Sequence, residues 1–557
     1  MANFDNNSRT QDGNTTEIIG TGSDDTITIS GTYLLSGTTD GVIDGGAGND
    51  TLVLASSNLA NTTLSGIEAT EIANNGAQTV DAAQIENLGT ITLTGSAVAF
   101  GGFVRLAGPS GGTADFSDLV LTGNQELAIQ SNVFGAGDTI TADFSGASVS
   151  GTAFIDYDGN TADDIVTGST GDDEIDGSSG DDVLLGGAGA DLLVGGSGDN
   201  DLQGGAGDDT LRSNTTSTGS LDGGADDDRI EVNGSFQGGE IDGGAGDDML
   251  ALTSANLTGT TIAGIEATEI ANNGFQSIDA AQIENLGDIT LTGNASAFGG
   301  FVLARNAAGS DVDLSNLTLA ANEDFTFSFR ELGVSDVAKV DFSTISLATG
   351  NTLTFNGTTG IDTVVGSDAT DILRGQNVDT LSYESDTSGV TIDLRSDTAS
   401  GGQAQGDTIF GFGNAIGGAG ADLFVGDTGA NRFEGGGGTD IAVFQGARAD
   451  YTINVTGGTA TVTDDNGSTN GFDGTDTTVG VEILRFSDQD VIVIAPNVPQ
   501  VSIGGAPRLD EGDGGTTDFT FTLTRTGNLT DPSTVDFAVT GGTADAADFA
   551  GGTLPSG

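Results

Sequence analysis

Between Gly159 and Arg212 the apolar residues keep a nine-residue beat: Val166, Ile175, Leu184, Leu193, Leu202 and Leu211 each stand two places after Asp164, Asp173, Asp182, Asp191, Asn200 or Asp209. In a three-residue extended segment the central side chain faces one way and its neighbours the other, so each unit predicts a very short strand with one aliphatic residue turned to a common interior. Glycine at the first, second and fourth places, as in GGAGADLLV from Gly186, predicts a tight turn before each strand. Two such half-turns make one coil, which aligns every second unit. Elsewhere the period is two: TITLTG from Thr90, DLVLTG from Asp118 and ELAIQ from Glu126 alternate apolar with polar and are separated by Asn and Gly turns. The segments ATEIANN and VDAAQIENL are rich in good helix formers, so a short helix over Val80 to Leu88 competes with a strand there.

The pattern is also duplicated at long range. The stretch from Gly41, GVIDGGAGNDTLVLASSNL, returns from Gly239 as GEIDGGAGDDMLALTSANL, and the offset of 198 holds without a gap from Asp115 against Asp313 to Gly168 against Gly366. Ile67-Glu68 and Ile85-Glu86 stand eighteen residues apart, as do Ile265-Glu266 and Ile283-Glu284, a spacing that predicts one coil. Glu68, Glu86, Glu266 and Glu284 invite a catalytic-dyad reading, but their identical placement in both copies suits a feature of the rung better. The expected fold is all-β: a parallel β-roll or β-solenoid, with an elongated sandwich as the alternative for the duplicated module, and a partial immunoglobulin-like β-sandwich at the C-terminus. The expected organisation is an N-terminal segment with a loose turn (1–40), solenoid module (41–158), roll (159–238), second module (239–356), a further repeat block with capping strands (357–495), and a linker with the partial sandwich (496–557).

Composition narrows the chemistry. The 557 residues carry 82 Asp+Glu against 14 Lys+Arg, a net charge of −68, with 93 Gly and neither Cys nor His nor Trp. Phosphate binding needs clustered basic residues, so a nucleic-acid partner is excluded. Disulfides, imidazole bases and nearly all zinc sites go with the missing side chains. A hydrophobic fraction of 36% held in fixed phase argues against disorder. No apolar run is long enough to span a membrane, and the start, MANFDNNSRTQDGN, lacks the basic and apolar regions of a Sec-type leader.

One aliphatic residue per nine returns less free energy than ordering the nine costs, so the turns need another source of stability. Aspartate carboxylates beside bared turn carbonyls form an all-oxygen set suited to several Ca²⁺ ions, and Mg²⁺, which demands stricter geometry, fits less well. The candidate ligands are the sixth residues of the best units: Asp50, Asp164, Asp173, Asp182, Asp191, Asn200, Asp209, Asp248, Asp422, Asn431 and Asp440. Catalytic residues are not expected.

These units resemble the RTX family, whose nonapeptide is written G-G-x-G-x-D-x-U-x. The resemblance implies a parallel β-roll in which Ca²⁺ lies between turns eighteen residues apart, shared by Asp173 with Asp191, Asp191 with Asp209, Asp164 with Asp182, and Asp422 with Asp440. Asn200 and Asn431 depart from the pattern and imply weaker sites. The GIEAT segments resemble solenoid parts of bacterial surface-layer proteins. The block from Asp379 is similar to the one that introduces the repeats of serralysin-type proteases, but without histidine it has no H-E-x-x-H. The stretch from Val501 resembles the start of a Calx-β domain, shorter than the ~100 residues a sandwich wants, which implies either a piece of a longer gene product or an incomplete, poorly folded domain. RTX proteins leave the cell by type I secretion with an uncleaved C-terminal signal, and none is evident at LPSG.

The expectation is a secreted, extracellular calcium-binding repeat protein that folds on Ca²⁺ and acts structurally at the cell surface or in the matrix. Calcium ions are its partners, with self-association and cell-surface polysaccharide as further ones. A self-assembling surface-layer or adhesive protein is the first alternative, and a carboxylate-based polysaccharide-active enzyme the second.

Overall fold

The computed structural model describes residues 3–4, 10–12, 15–32, 40–73, 77–94, 102–107, 111–131, 137–214, 217–271, 275–292, 300–305, 307–319, 324–329, 332–333, 335–347, 351–466, 472–493, 500–504 and 522–526. The chain divides into two compact units, Met1–Ala307 with Asn316–Arg330, and Ala308–Ser315 with Glu331–Gly557.

The first unit is built from parallel ladders, as the nine-residue beat requires. On one face of the roll Phe154–Asp158, Glu174–Asp176, Leu192–Gly196, Thr210–Ser213, Arg229–Ser235 and Met249–Asn256 pair in succession. On the other, Asp163–Thr167, Val183–Ala188, Asp201–Ala206, Ser220–Ala225 and Glu240–Ala245 do the same. Register sets Ile175 beside Leu193 and Leu193 beside Leu211, and on the facing ladder Val166 beside Leu184 and Leu184 beside Leu202; all six are essentially inaccessible to water. The coil then lengthens slightly, with Leu202 beside Leu221 and Leu221 beside Ile241, and the extra residues fall in the turns. Gly187 shows why the turns need glycine: its φ is +110°, and a Cβ there would strike Ser169 O of the preceding rung.

The duplicated module is also a parallel solenoid, so its sandwich alternative does not form. Its rungs are longer, with Leu127 beside Ile155 and Ile129 beside Tyr157. ATEIANN is strand over Ala69–Ala73, not helix, because Thr70 and Ile72 turn inward between Leu52 and Leu54 on one side and Ile91 and Leu93 on the other. The competing helix is a 3-10 turn, Ala82–Asn87, repeated as Ala280–Leu286. The eighteen-residue spacing of Ile67-Glu68 and Ile85-Glu86 is not one coil: Thr70 pairs with Ile91 and Thr268 with Ile289, a step of twenty-one, and Glu86 lies in the 3-10 turn. The extra residues are that helical turn.

In the second unit the ladders stay parallel from Asp311–Asp313 to Thr475–Val479 on one side. They then reverse. Tyr451–Thr456, Thr459–Asp464 and Thr475–Val479 form an antiparallel meander, while Ile483–Arg485 turns back on Asp490–Ile492. Phe444 and Phe486 stack with ring centroids 5.2 Å apart, covering the last rung. Beyond residue 493 only Gln500–Gly504 and Thr522–Thr526 are described, an antiparallel pair; the remainder of the expected sandwich lies outside the described residues.

Candidate metal centre

Parallel pairing in register has a direct electrostatic consequence: every sixth-position side chain falls under its counterpart on the next coil. Asp173 N–H donates to Asp191 Oδ1 (2.7 Å), Asp191 N–H to Asp209 (2.8 Å), Asp209 to Asp228 (2.8 Å), Asp228 to Asp248 (2.8 Å), and Asp248 to Glu266 Oε2 (2.8 Å). The turns on the other side begin a second column, with Asp164 N–H on Asp182 Oδ1 (2.8 Å) and Asp182 N–H on Asn200 Oδ1 (2.9 Å). A short column precedes them, from Asp25 N–H to Asp50 Oδ1 (2.7 Å) and from Asp50 N–H to Glu68 Oε2 (2.7 Å). In the second unit Asp422 N–H meets Asp440 (2.8 Å), Asp440 N–H meets Glu482 (2.9 Å), Asp362 N–H meets Asp379 (2.9 Å) and Asn431 N–H meets Asp476 (2.9 Å).

One carboxylate oxygen is thus hydrogen-bonded. The other is not. Oδ2 of Asp50, Asp182, Asp191, Asp209, Asp228, Asp248 and Asp440, and Oδ1 of Asp164 and Asp362, are buried without any hydrogen-bond partner. In the turns of Asp191, Asp209 and Asp228 the free oxygen faces the first glycine of its own unit and the first-glycine carbonyl of the next coil. Asp191 Oδ2 and Gly204 O both crowd the place a Cβ on Gly186 would occupy, as do Asp209 Oδ2 and Gly223 O at Gly204. Any side chain there would fill the cradle.

An uncompensated buried carboxylate is costly, and its acidity records this. Burial, aided by neighbouring carboxylates, pushes Asp182, Asp191 and Asp228 up to about 7, Asp209 to about 6 and Asp440 to about 8. Three or more acidic side chains gather at no single point among the described residues. A cation here therefore draws on carbonyl oxygens beside one or two carboxylates, which is hard, all-oxygen chemistry suited to Ca²⁺.

The turns of Asp173, Asp371 and Asp422 differ. Asp173 Oδ2 accepts from Ser169 N–H (2.6 Å) and Asp371 Oδ2 from Ser367 N–H (2.8 Å), with the serine hydroxyls on the remaining oxygens, so these carboxylates are satisfied within their own turn. Asp422 does the same with Gly418 N–H (2.8 Å). Asn200 and Asn431, expected among the ligands, have both side-chain atoms on protein partners. Asn200 Nδ2 donates to Gly195 O (2.9 Å) and Asn431 Nδ2 to Gly413 O (2.9 Å), the second also reaching Asp427. An amide nitrogen supplies the positive partner that an aspartate turn lacks.

Asp228 and Asp25 also stand in the columns; they are the sixth residues of the looser units GGADDDRIE and GTGSDDTIT, and the spacing marks both. Asp362 and Asp371 occupy the sixth place of units that begin at Gly357 and Gly366. Glu68, Glu266 and Glu482 lie outside any nonapeptide; the step of eighteen from Asp50 and Asp248 marks the first two, and the shared G-[IV]-E tripeptide marks all three.

No curated protein matches the sequence. Residues 36–58, 158–193, 194–215, 354–378 and 416–442 match the RTX calcium-binding nonapeptide repeat (4 copies). The column of the roll runs on past the matched stretch through Asp228 and Asp248. The orphaned oxygens and these matches lead to one conclusion: the chain carries RTX calcium-binding nonapeptide repeats and takes Ca²⁺ at multiple sites.

Proposed function

We propose that this is an exported protein that folds on Ca²⁺ outside the cell and serves there as a structural component of the surface or matrix, performing no catalysis. The observation that carries the proposal is the run of buried aspartates whose second oxygen has no partner within the protein. Asp50, Asp164, Asp182, Asp191, Asp209, Asp228, Asp248 and Asp440 would hold the ions with the turn carbonyls facing them, and Asp173 and Asp422 would take part through the next turn's oxygens. Bound Ca²⁺ supplies the positive charge these oxygens lack. Asn200 and Asn431 are left out of the set. Among the described residues no helix is long and apolar enough to cross a membrane.

Where calcium is scarce, a net charge of −68 opposes compaction by self-repulsion. Where it is plentiful, ions that bind only the coiled state shift the equilibrium by mass action. Export of an open chain and its folding on arrival would then share one trigger. Circular dichroism and small-angle scattering of the full chain, with millimolar Ca²⁺ and then excess chelator, test this. The expected result is a reversible gain of β signal with a fall in radius of gyration; a chain equally ordered in both conditions overturns it. Sheets or filaments appearing with calcium in electron micrographs would assign the structural role to an array.

A further inference from the structure

Three glutamates that belong to no nonapeptide end three of the carboxylate columns, one of them in the other compact unit and outside the duplicated sequence. Glu68 follows Asp50, Glu266 follows Asp248 and Glu482 follows Asp440, each accepting the aspartate's N–H through Oε2 at 2.7, 2.8 and 2.9 Å. The turn carrying each is cut short. In a regular unit the acid stands five residues after its first glycine, as Asp209 after Gly204; here the order is Gly66-Ile67-Glu68, Gly264-Ile265-Glu266 and Gly480-Val481-Glu482, two residues on. The glycines hold φ of 60°, 59° and 66°, a left-handed bend that permits the shortcut. The chain thereby skips three residues of turn, and the additional methylene of glutamate returns the carboxylate to the place an aspartate holds elsewhere.

Each closing turn also presents its oxygens to an unpartnered neighbour. Oδ2 of Asp50, Asp248 and Asp440 is buried and without a hydrogen bond, and the aspartates themselves are essentially inaccessible. Over the first glycine of each unit that oxygen meets the carbonyl of the shortened turn: Gly66 O at Gly45, Gly264 O at Gly243, and Gly480 O at Gly435. A hydrogen-bond acceptor alone would not require an acid, since glutamine also accepts. We infer that Gly-[Ile/Val]-Glu is a closing half-site for a divalent cation, in which Glu68, Glu266 and Glu482 supply the last carboxylate to the final ion of each column. This rests on the calcium-column reading above and extends it to residues outside the repeat.

The test is the number of Ca²⁺ ions bound by the full chain, measured by equilibrium dialysis and by calorimetric titration. Glu68→Gln, Glu266→Gln and Glu482→Gln keep the acceptor for the aspartate N–H and remove only the charge. The triple variant is expected to lose about three ions, and the exposed-site control Glu86→Gln/Glu284→Gln none. An unchanged ion count and affinity in a triple variant with wild-type circular dichroism overturns the inference. A wild-type chain that binds no calcium overturns the column reading instead. If the triple variant fails to reach the wild-type spectrum at saturating calcium, each single variant is titrated, with a loss of about one ion expected. A fully folded single variant that keeps its complement overturns the assignment for that column.

Discussion

The roll and the duplicated module in the first unit share one ladder geometry and differ in what fills it. Between residues 111 and 138 one rung of the module buries Ala114, Phe116, Leu119, Leu121, Leu127 and Ile129, and Phe116 stacks on Phe144 of the next rung at 4.5 Å. Between residues 168 and 185 one rung of the roll buries Ile175 and Leu184 as its only apolar side chains, together with Asp173 and Asp182. A long rung encloses enough apolar surface to support itself; a short rung does not, and places carboxylates where the module has leucine and phenylalanine. Parallel pairing alone thus does not determine how a solenoid is stabilised. Rung length does, by fixing how many side chains can face inward.

The sharpest way to break the comparison is to remove calcium. Amide hydrogen exchange in excess chelator should speed up by about 100-fold or more across 163–250 and change little across 111–158. Equal loss in both regions would mean that they fold as one body whatever fills them.

Next in size is the exchange of aspartate for the asparagine that the chain already uses. Asp191→Asn and Asp209→Asn should each reduce the calcium complement by about one ion while stabilising the calcium-free roll by ~1 kcal/mol, since the new Nδ2 reaches the first-glycine carbonyl as Asn200 does. Asn200→Asp should act in the opposite sense on both. Chemical denaturation in chelator and calcium titration check each pair.

The pH response separates the regions further. In the calcium-free roll the folded carboxyls of Asp182, Asp191 and Asp228 rise to about 7 because they are buried, whereas the unfolded values stay near 3.8. The folded state therefore binds more protons between these limits, so its stability is full below pH ~4, falls as the pH rises, and levels off above pH ~7. Calcium affinity runs the other way, since the ligands must be deprotonated. Circular dichroism in chelator from pH 4 to 8 should show β signal lost as pH rises; a flat profile would show that these carboxylates are not buried without the ion.

The smallest effect tests the module's own core. Phe116→Leu should cost ~1–2 kcal/mol in chelator and in calcium alike, with no shift in the calcium midpoint, because its partner is Phe144 and no ion. A shifted midpoint would join the module to the ion-dependent part.

Much of this was legible in the residues. Between Gly159 and Arg212 the nine-residue beat located the inward aliphatic of each short strand and the aspartates in the turns, because a two-faced ladder leaves one inward position per short strand. Glu68, Glu266 and Glu482 were not legible as members of the columns: Glu68 and Glu266 stand eighteen residues after Asp50 and Asp248 but lack the glycine-rich turn of a nonapeptide, and Glu482 lies forty-two residues after Asp440. ATEIANN carried a helical propensity that packing between two neighbouring strands overrode, and the twenty-one-residue step could not be counted without seeing Ala82–Asn87 coil into a 3-10 turn.

By itself the sequence determined the parallel roll and the identity of the cation, since period, glycine placement and an excess of carboxylates are all local or compositional quantities. Only the tertiary structure decided which oxygens remain without a partner. A serine such as Ser169 satisfies its aspartate within one turn, but which carboxylate takes an aspartate's N–H, and which glycine carbonyl faces its second oxygen, depends on the residue one coil away, and that neighbour is set by the register of the ladder.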